Sequence, residues 1–107
     1  MFDFILRGGE VVDGSGAPAF PSDVAIDGGR IVAVAPHLHG AARRELDVAG
    51  RVIAPGFIEL HSHSDLLFTL PPQGQLALLG GRVRQGITTE LVGNCGDGRA
   101  PLVPARL

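Results

Sequence analysis

The dipeptide Pro55-Gly56 constrains this chain more than any other feature, because the pattern of residues changes on either side of it. Upstream, short apolar and β-branched runs are broken by glycine. Phe2–Arg7 and Glu10–Asp13 flank Gly8-Gly9, and two glycines between apolar runs suit a two-residue turn with positive φ. Asp23–Ile26 and Arg30–Val34 flank Asp27-Gly28-Gly29 in the same way, and Glu45–Val48 and Arg51–Ala54 flank Ala49-Gly50. Between the first two pairs, Gly14-Ser15-Gly16-Ala17-Pro18 reads as a loop. The spacing predicts three hairpins in a small β-sheet or β-sandwich over residues 1–54.

Downstream, over residues 55–107, the order becomes strand, helix, strand. Phe57–His61 predicts a buried strand. Leu76, Leu79 and Val83 recur at helical spacing within residues 73–85, and Gly86 stands where a helix ends. Ile87–Val92 is β-branched and predicts a second strand, closed by the turn Gly93-Asn94-Cys95-Gly96. A βαβ unit implies parallel strands joined by a right-handed crossover. The fold class expected is therefore mixed β and α/β. From Asp97 onward no period is visible.

Composition narrows the function. Nine basic against eleven acidic residues leave a formal charge of −2, which removes a basic nucleic-acid footprint. All the basic residues are arginine, so no lysine is present to form a Schiff base or to serve as a carbamylated ligand. A single cysteine, Cys95, excludes an internal disulfide. The first residues lack the basic and apolar regions of a signal peptide, and no run approaches the roughly 20 apolar residues of a membrane span, so the expectation is a cytoplasmic protein.

The chemistry concentrates in His61-Ser62-His63. Side chains i and i+2 of a strand face the same way, so Glu59, His61 and His63 share a face while the strand lasts. Two imidazoles about 7 Å apart at Cα are able to converge on one metal ion. The bland alternative is a polar strand exit. His37-Leu38-His39 has the same spacing but follows Pro36 and precedes Gly40, and reads as an exposed loop pair. Cys95 follows His61 by 34 residues, about one βαβ repeat, and directly follows its own strand. If the two strands are neighbours, Cys95 meets the histidines over one rim, and a thiolate with two imidazoles suits Zn²⁺. On its own, Cys95 reads as a small buried hydrophobe.

Glu59 is placed either to orient an imidazole or as a satisfied interior polar residue. Ser64-Asp65, before Leu66-Leu67, suits a helix cap better than a metal rim. The glycine-rich segments lack the lysine and spacing of a phosphate loop, and there is no G-x-S-x-G nucleophile elbow.

Pro55-Gly56-Phe57-Ile58-Glu59-Leu60-His61-Ser62-His63 resembles the first-strand signature of the amidohydrolase superfamily. Gln85-Gly86-Ile87-Thr88-Thr89 with Gly93-Asn94-Cys95-Gly96 is similar to the second-strand segment of its D-aminoacylase (N-acyl-D-amino-acid deacylase) branch. The opening segment, with Gly8-Gly9, Val12-Asp13-Gly14 and Asp27–Ile31, looks like the small β-domain that precedes the barrel in these enzymes.

The resemblance implies a piece of a β-sandwich followed by the first βαβ of an incomplete (β/α)8 TIM barrel. It implies that His61 and His63 ligate one metal position, with Cys95 a zinc ligand where many relatives use a modified lysine. The substrate implied is a small N-acyl-D-amino acid or related amide. A whole barrel needs about 250 residues, so residues 57–107 supply only its first two strands. The family's later histidines and acid/base aspartate have no counterpart here, and Glu90 is more polar than such a second strand calls for.

The expectation is an N-terminal fragment, inactive alone, whose normal partner is the missing C-terminal part of the same fold. Two other readings stay open: a hydrolase of cyclic amides (dihydroorotase- or hydantoinase-like), against which Asn94-Cys95-Gly96 argues, and a non-catalytic zinc-binding remnant. An open barrel piece also exposes apolar sheet, so low stability and solubility are expected.

Overall fold

A computed structural model describes residues 1–96 and Gly98; the aperiodic tail from Asp97 otherwise lies outside the described residues. The protein is β-rich, with one α-helix among the described residues. It divides into two compact units, Met1–Pro55 and Gly56–Leu107.

The first unit is one five-stranded sheet built around β1 (Phe2–Val11). On one side β1 pairs antiparallel with β2 (Phe20–Asp27), which pairs antiparallel with β3 (Arg30–Ala35). On the other side it pairs parallel with β4 (Ala42–Asp47) and then with β5 (Val52–Ile53). This is the only sheet of the first unit among the described residues. Ile5, Val11, Val24 and Ala25 form its buried apolar core.

Of the three expected hairpins, only β2–β3 folds as one. Asp27 pairs with Arg30, and Gly28 and Gly29 take φ of 55° and 74°, the mirror-image turn that matches strand twist. Gly8-Gly9 is not a turn. The register with β2 slips by one residue between Leu6 and Gly9, and Gly8 at φ 70° makes a bulge inside a continuous ten-residue strand. A glycine with positive φ serves a bulge as well as a hairpin, and the flanking apolar runs are the same in both cases.

Glu45–Ala54 does not fold back on itself either. A turn forms, with Arg51 N–H donating to Val48 O at 3.0 Å, but β4 and β5 continue in one direction along β1. The turn sits beside the bulge: a β-carbon on Gly9 would lie 2.7 Å from the Ile53 side chain and 3.1 Å from Val48. The bulge and the interruption therefore match.

Arg7 ties three strands together. Its guanidinium donates to Asp23 of β2 at 2.9 Å, to Glu45 of β4 at 3.0 and 3.1 Å, and to Leu38 O at 2.7 Å. Asp23 also accepts from the N–H groups of Gly8 (2.8 Å) and Leu38 (3.1 Å). This cluster fixes the loop carrying His37 and His39, whose side chains are exposed.

The second unit is a parallel pair, β6 (Phe57–Glu59) and β7 (Ile87–Glu90), joined through a 3-10 helix (Ser64–Thr69) and α1 (Pro72–Arg84). The proline at the first turn of α1, the arginines in its last turn and Gly86 at φ 85° are ordinary start and stop signals. Gly56 has no room for a side chain, because a β-carbon there would lie 2.7 Å from Thr88 Cβ.

The strand expected to be buried through His61 ends at Glu59. Phe57 and Ile58 are 62% and 63% exposed, since a two-stranded sheet with one helix leaves part of both faces uncovered. Leu76 and Val83 of α1 are exposed for the same reason. Among the described residues of this unit the buried ones are polar: Ser62, Ser64 and Asp65. No helix among the described residues is long and apolar enough to cross a membrane.

Candidate metal centre

β6 and β7 run side by side, so their C-terminal ends open onto a common edge. Main-chain pairing outlasts the strands: Leu91 N–H donates to Glu59 O at 2.8 Å and Ser62 N–H to Leu91 O at 3.1 Å. His61 and His63 leave the end of β6, and Cys95 sits in the turn after β7.

The three side chains meet. Cys95 Sγ lies 3.4 Å from His61 Nε2, and one donor atom from each of His61, His63 and Cys95 falls within 4.8 Å of the others. The two imidazole rings are 5.5 Å apart at an angle of 67°. Zinc bonds of about 2.3 Å to sulfur and 2.05 Å to nitrogen, at a tetrahedral angle, put the two donors about 3.6 Å apart. The Cys95–His61 separation is already close to that value, and no pair needs to close by more than about 1.5 Å. His63 Nδ1 is buried with no hydrogen-bond partner among the described residues, and Cys95 is a free, exposed thiol. Two imidazoles and a thiol gathered this closely are a donor set that a borderline-soft cation satisfies. No other such cluster is present among the described residues, and His37-Leu38-His39 belongs to none.

The remaining candidates take other roles. Glu59 accepts from the main-chain N–H of His61 at 3.2 Å and so holds the backbone rather than the ring. Asp65 lies within the first turn of the 3-10 helix, not at its cap. The N-cap position is His63, and no side chain caps it.

Sequence reasoning missed the cluster beneath the histidines. Glu90 accepts from Arg82 (2.7 Å), from the Ser62 hydroxyl (2.9 Å) and from the Ser64 hydroxyl. The Ser64 hydroxyl, then the Arg82 guanidinium, hold the Glu90 carboxyl below the usual carboxylate range against the opposing effect of burial. Arg82 of α1 also donates to the Ser62 hydroxyl at 2.8 Å, so the cluster joins this segment to the helix. The signal was present in the acidic residue ending a β-branched strand, eight positions after an arginine on the preceding helix.

Most of the chain is similar to known enzymes. It is 44% identical over 99 residues to an N-acyl-D-glutamate deacylase of Alcaligenes xylosoxydans xylosoxydans, a match covering 92% of this chain and 19% of that protein. The structure of an N-acyl-D-glutamate deacylase from Bordetella bronchiseptica, complexed with zinc and a phosphonate mimic of the tetrahedral intermediate, superposes with a TM-score of 0.81 at 42% identity. That match covers 94% of this chain and 20% of the other. This chain is a homologue of the D-aminoacylases, in the amidohydrolase superfamily. A D-aminoacylase structure described by its binuclear metal centre matches it with a TM-score of 0.80 at 43% identity, over 95% of this chain and 20% of that one. No family model matches the chain. The chain spans about a fifth of the length of these D-aminoacylase relatives.

Proposed function

We propose that this chain supplies the metal-binding corner of a metal-dependent hydrolase that deacylates N-acyl-D-amino acids, with His61, His63 and Cys95 holding Zn²⁺. The observation that carries the reading is the meeting of those three donors above the ends of β6 and β7. In this reading β6, α1 and β7 are the first βαβ of a (β/α)8 barrel, and the site lies on the rim where such barrels keep their chemistry. A bound zinc ion supplies an activated water and a Lewis acid for an amide carbonyl.

The residues of this chain hold and orient. Each imidazole of His61 and His63 would give the ion one ring nitrogen, and Cys95 its sulfur. Glu59 fixes the His61 main chain, and the Ser62–Glu90–Arg82 cluster keeps the opposite face of the segment closed. No group among the described residues is assigned to acid/base catalysis.

The test replaces the matching segment of an N-acyl-D-glutamate deacylase with this chain and measures zinc content and hydrolysis of N-acetyl-D-glutamate. Stoichiometric zinc with turnover, both lost on Cys95→Ser, is expected. Zinc retention without turnover overturns the hydrolase reading, and a folded chimera without zinc overturns the site.

A further inference from the structure

We propose that Asn94 is a positioning residue whose side-chain amide fixes the distance between Cys95 and the histidine pair. The inference rests on the metal-site reading above. Asn94 Nδ2 donates to Ser62 O at 3.1 Å and to Leu91 O at 2.9 Å. Ser62 stands between His61 and His63, and Asn94 immediately precedes Cys95. One hydrogen bond thus joins the main chain between the two imidazoles to the main chain carrying the sulfur.

Both ends of this latch matter. Ser62 is a fixed anchor: it is 2% exposed, its N–H is bonded to Leu91 O, and its hydroxyl is held by Glu90 and Arg82. The Cys95 turn is the opposite case. Gly93 and Gly96 have φ of 80° and 73°, and Cys95 itself has φ 61°, a left-handed conformation that a residue with a β-carbon keeps only when its surroundings impose it. Among the described residues, the side-chain bonds tying residues 93–96 to the end of β6 are that of Asn94 and the Cys95–His61 contact itself.

A carboxamide suits the position because one nitrogen carries two N–H donors for two carbonyl oxygens. Aspartate has the same shape but would set a carboxylate oxygen against both carbonyls.

The test titrates the full chain and its Asn94→Ala and Asn94→Asp variants with cobalt(II), reading the thiolate-to-cobalt charge-transfer band beside the far-ultraviolet circular dichroism. The unsubstituted chain is expected to bind one cobalt with that band. Both variants are expected to bind about 10- to 100-fold more weakly, the range typical when a group that orients metal ligands is removed. They are also expected to show a weaker band per bound cobalt at unchanged circular dichroism. Should either substitution alter the dichroism, Asn94→Ser, which is too short to span both carbonyls, is titrated in its place. Variants that match the parent in affinity and band intensity overturn the role of Asn94. Absence of the band in the unsubstituted chain overturns the metal site itself, so the two failures are distinct.

Discussion

Asp23→Asn tests the cluster that organises the first sheet. The native carboxylate accepts from Gly8 N–H, Leu38 N–H and the Arg7 guanidinium, and its side chain is 8% exposed. Asparagine keeps an oxygen for Gly8 but turns an NH₂ group toward the other two donors. Hydrogen bonds to a charged group contribute roughly 1.5–3 kcal/mol each, so losing two costs up to about 6 kcal/mol. Arg7 keeps Glu45 and the Leu38 carbonyl and is partly hydrated, which brings the expected loss to about 3 kcal/mol.

With no tryptophan or tyrosine in the chain, unfolding is best followed by the amide resonances of Ile5, Val24 and Ala25 in urea. At roughly 1 kcal/mol per molar urea for a unit this small, the midpoint falls by about 3 M, or the unit is already unfolded in buffer. The difference also carries a pH signature. Burial raises the Asp23 pKa, but the N–H groups of Leu38 and Gly8 and the charge of Arg7 outweigh it, and the carboxyl stays ionised to lower pH than usual. Its stabilisation is therefore complete above the unfolded value of about 3.9 and disappears as pH falls through the native one. The parent and variant midpoints converge in acid. A midpoint shift under about 0.5 M at neutral pH, or a difference independent of pH, refutes this account.

Gly56→Ala places a methyl group against Thr88 of the neighbouring strand and lowers stability by about 1–3 kcal/mol; Thr88→Gly in the same chain restores it, and an unchanged melting temperature for the single variant contradicts the packing. Glu90→Gln removes the ion pair with Arg82 while leaving an oxygen for the serine hydroxyls, at a cost of about 1 kcal/mol seen as faster amide exchange at Ser62 and Leu91. Because the native Glu90 pKa is lowered, that cost is present above about pH 4.5 and fades as pH falls through the native value; exchange that does not depend on Glu90 at neutral pH rules the cluster out as a brace.

The second unit was the more legible of the two. His61, His63 and Cys95 stand where their spacing put them, because parallel strands in a βαβ unit bring equivalent ends together, whatever the exact strand limits. The first unit was harder. Pairing of β1 with β4 and β5 joins residues about 40 apart in parallel, and nothing local marks such pairing. The Gly8-Gly9 and Ala49-Gly50 signals were real, but one marks a bulge and the other an interruption matched to it. Only Asp27-Gly28-Gly29, where both turn glycines take positive φ between facing strands, carried its meaning locally. The exposure of Phe57 and Ile58 was not legible in their own segment, since a strand pattern reports an apolar residue and not whether anything covers it.

The central place of β1 has a consequence for biosynthesis. This strand leaves the ribosome before any of its partners, yet it borders β2 on one edge and both β4 and β5 on the other. Only when Ile53 has emerged are both edges closed. Until β4 has emerged the nascent segment carries Phe2, Phe4 and Leu6 with one edge open, the kind of stretch that chaperones bind and that seeds aggregation when translation stalls.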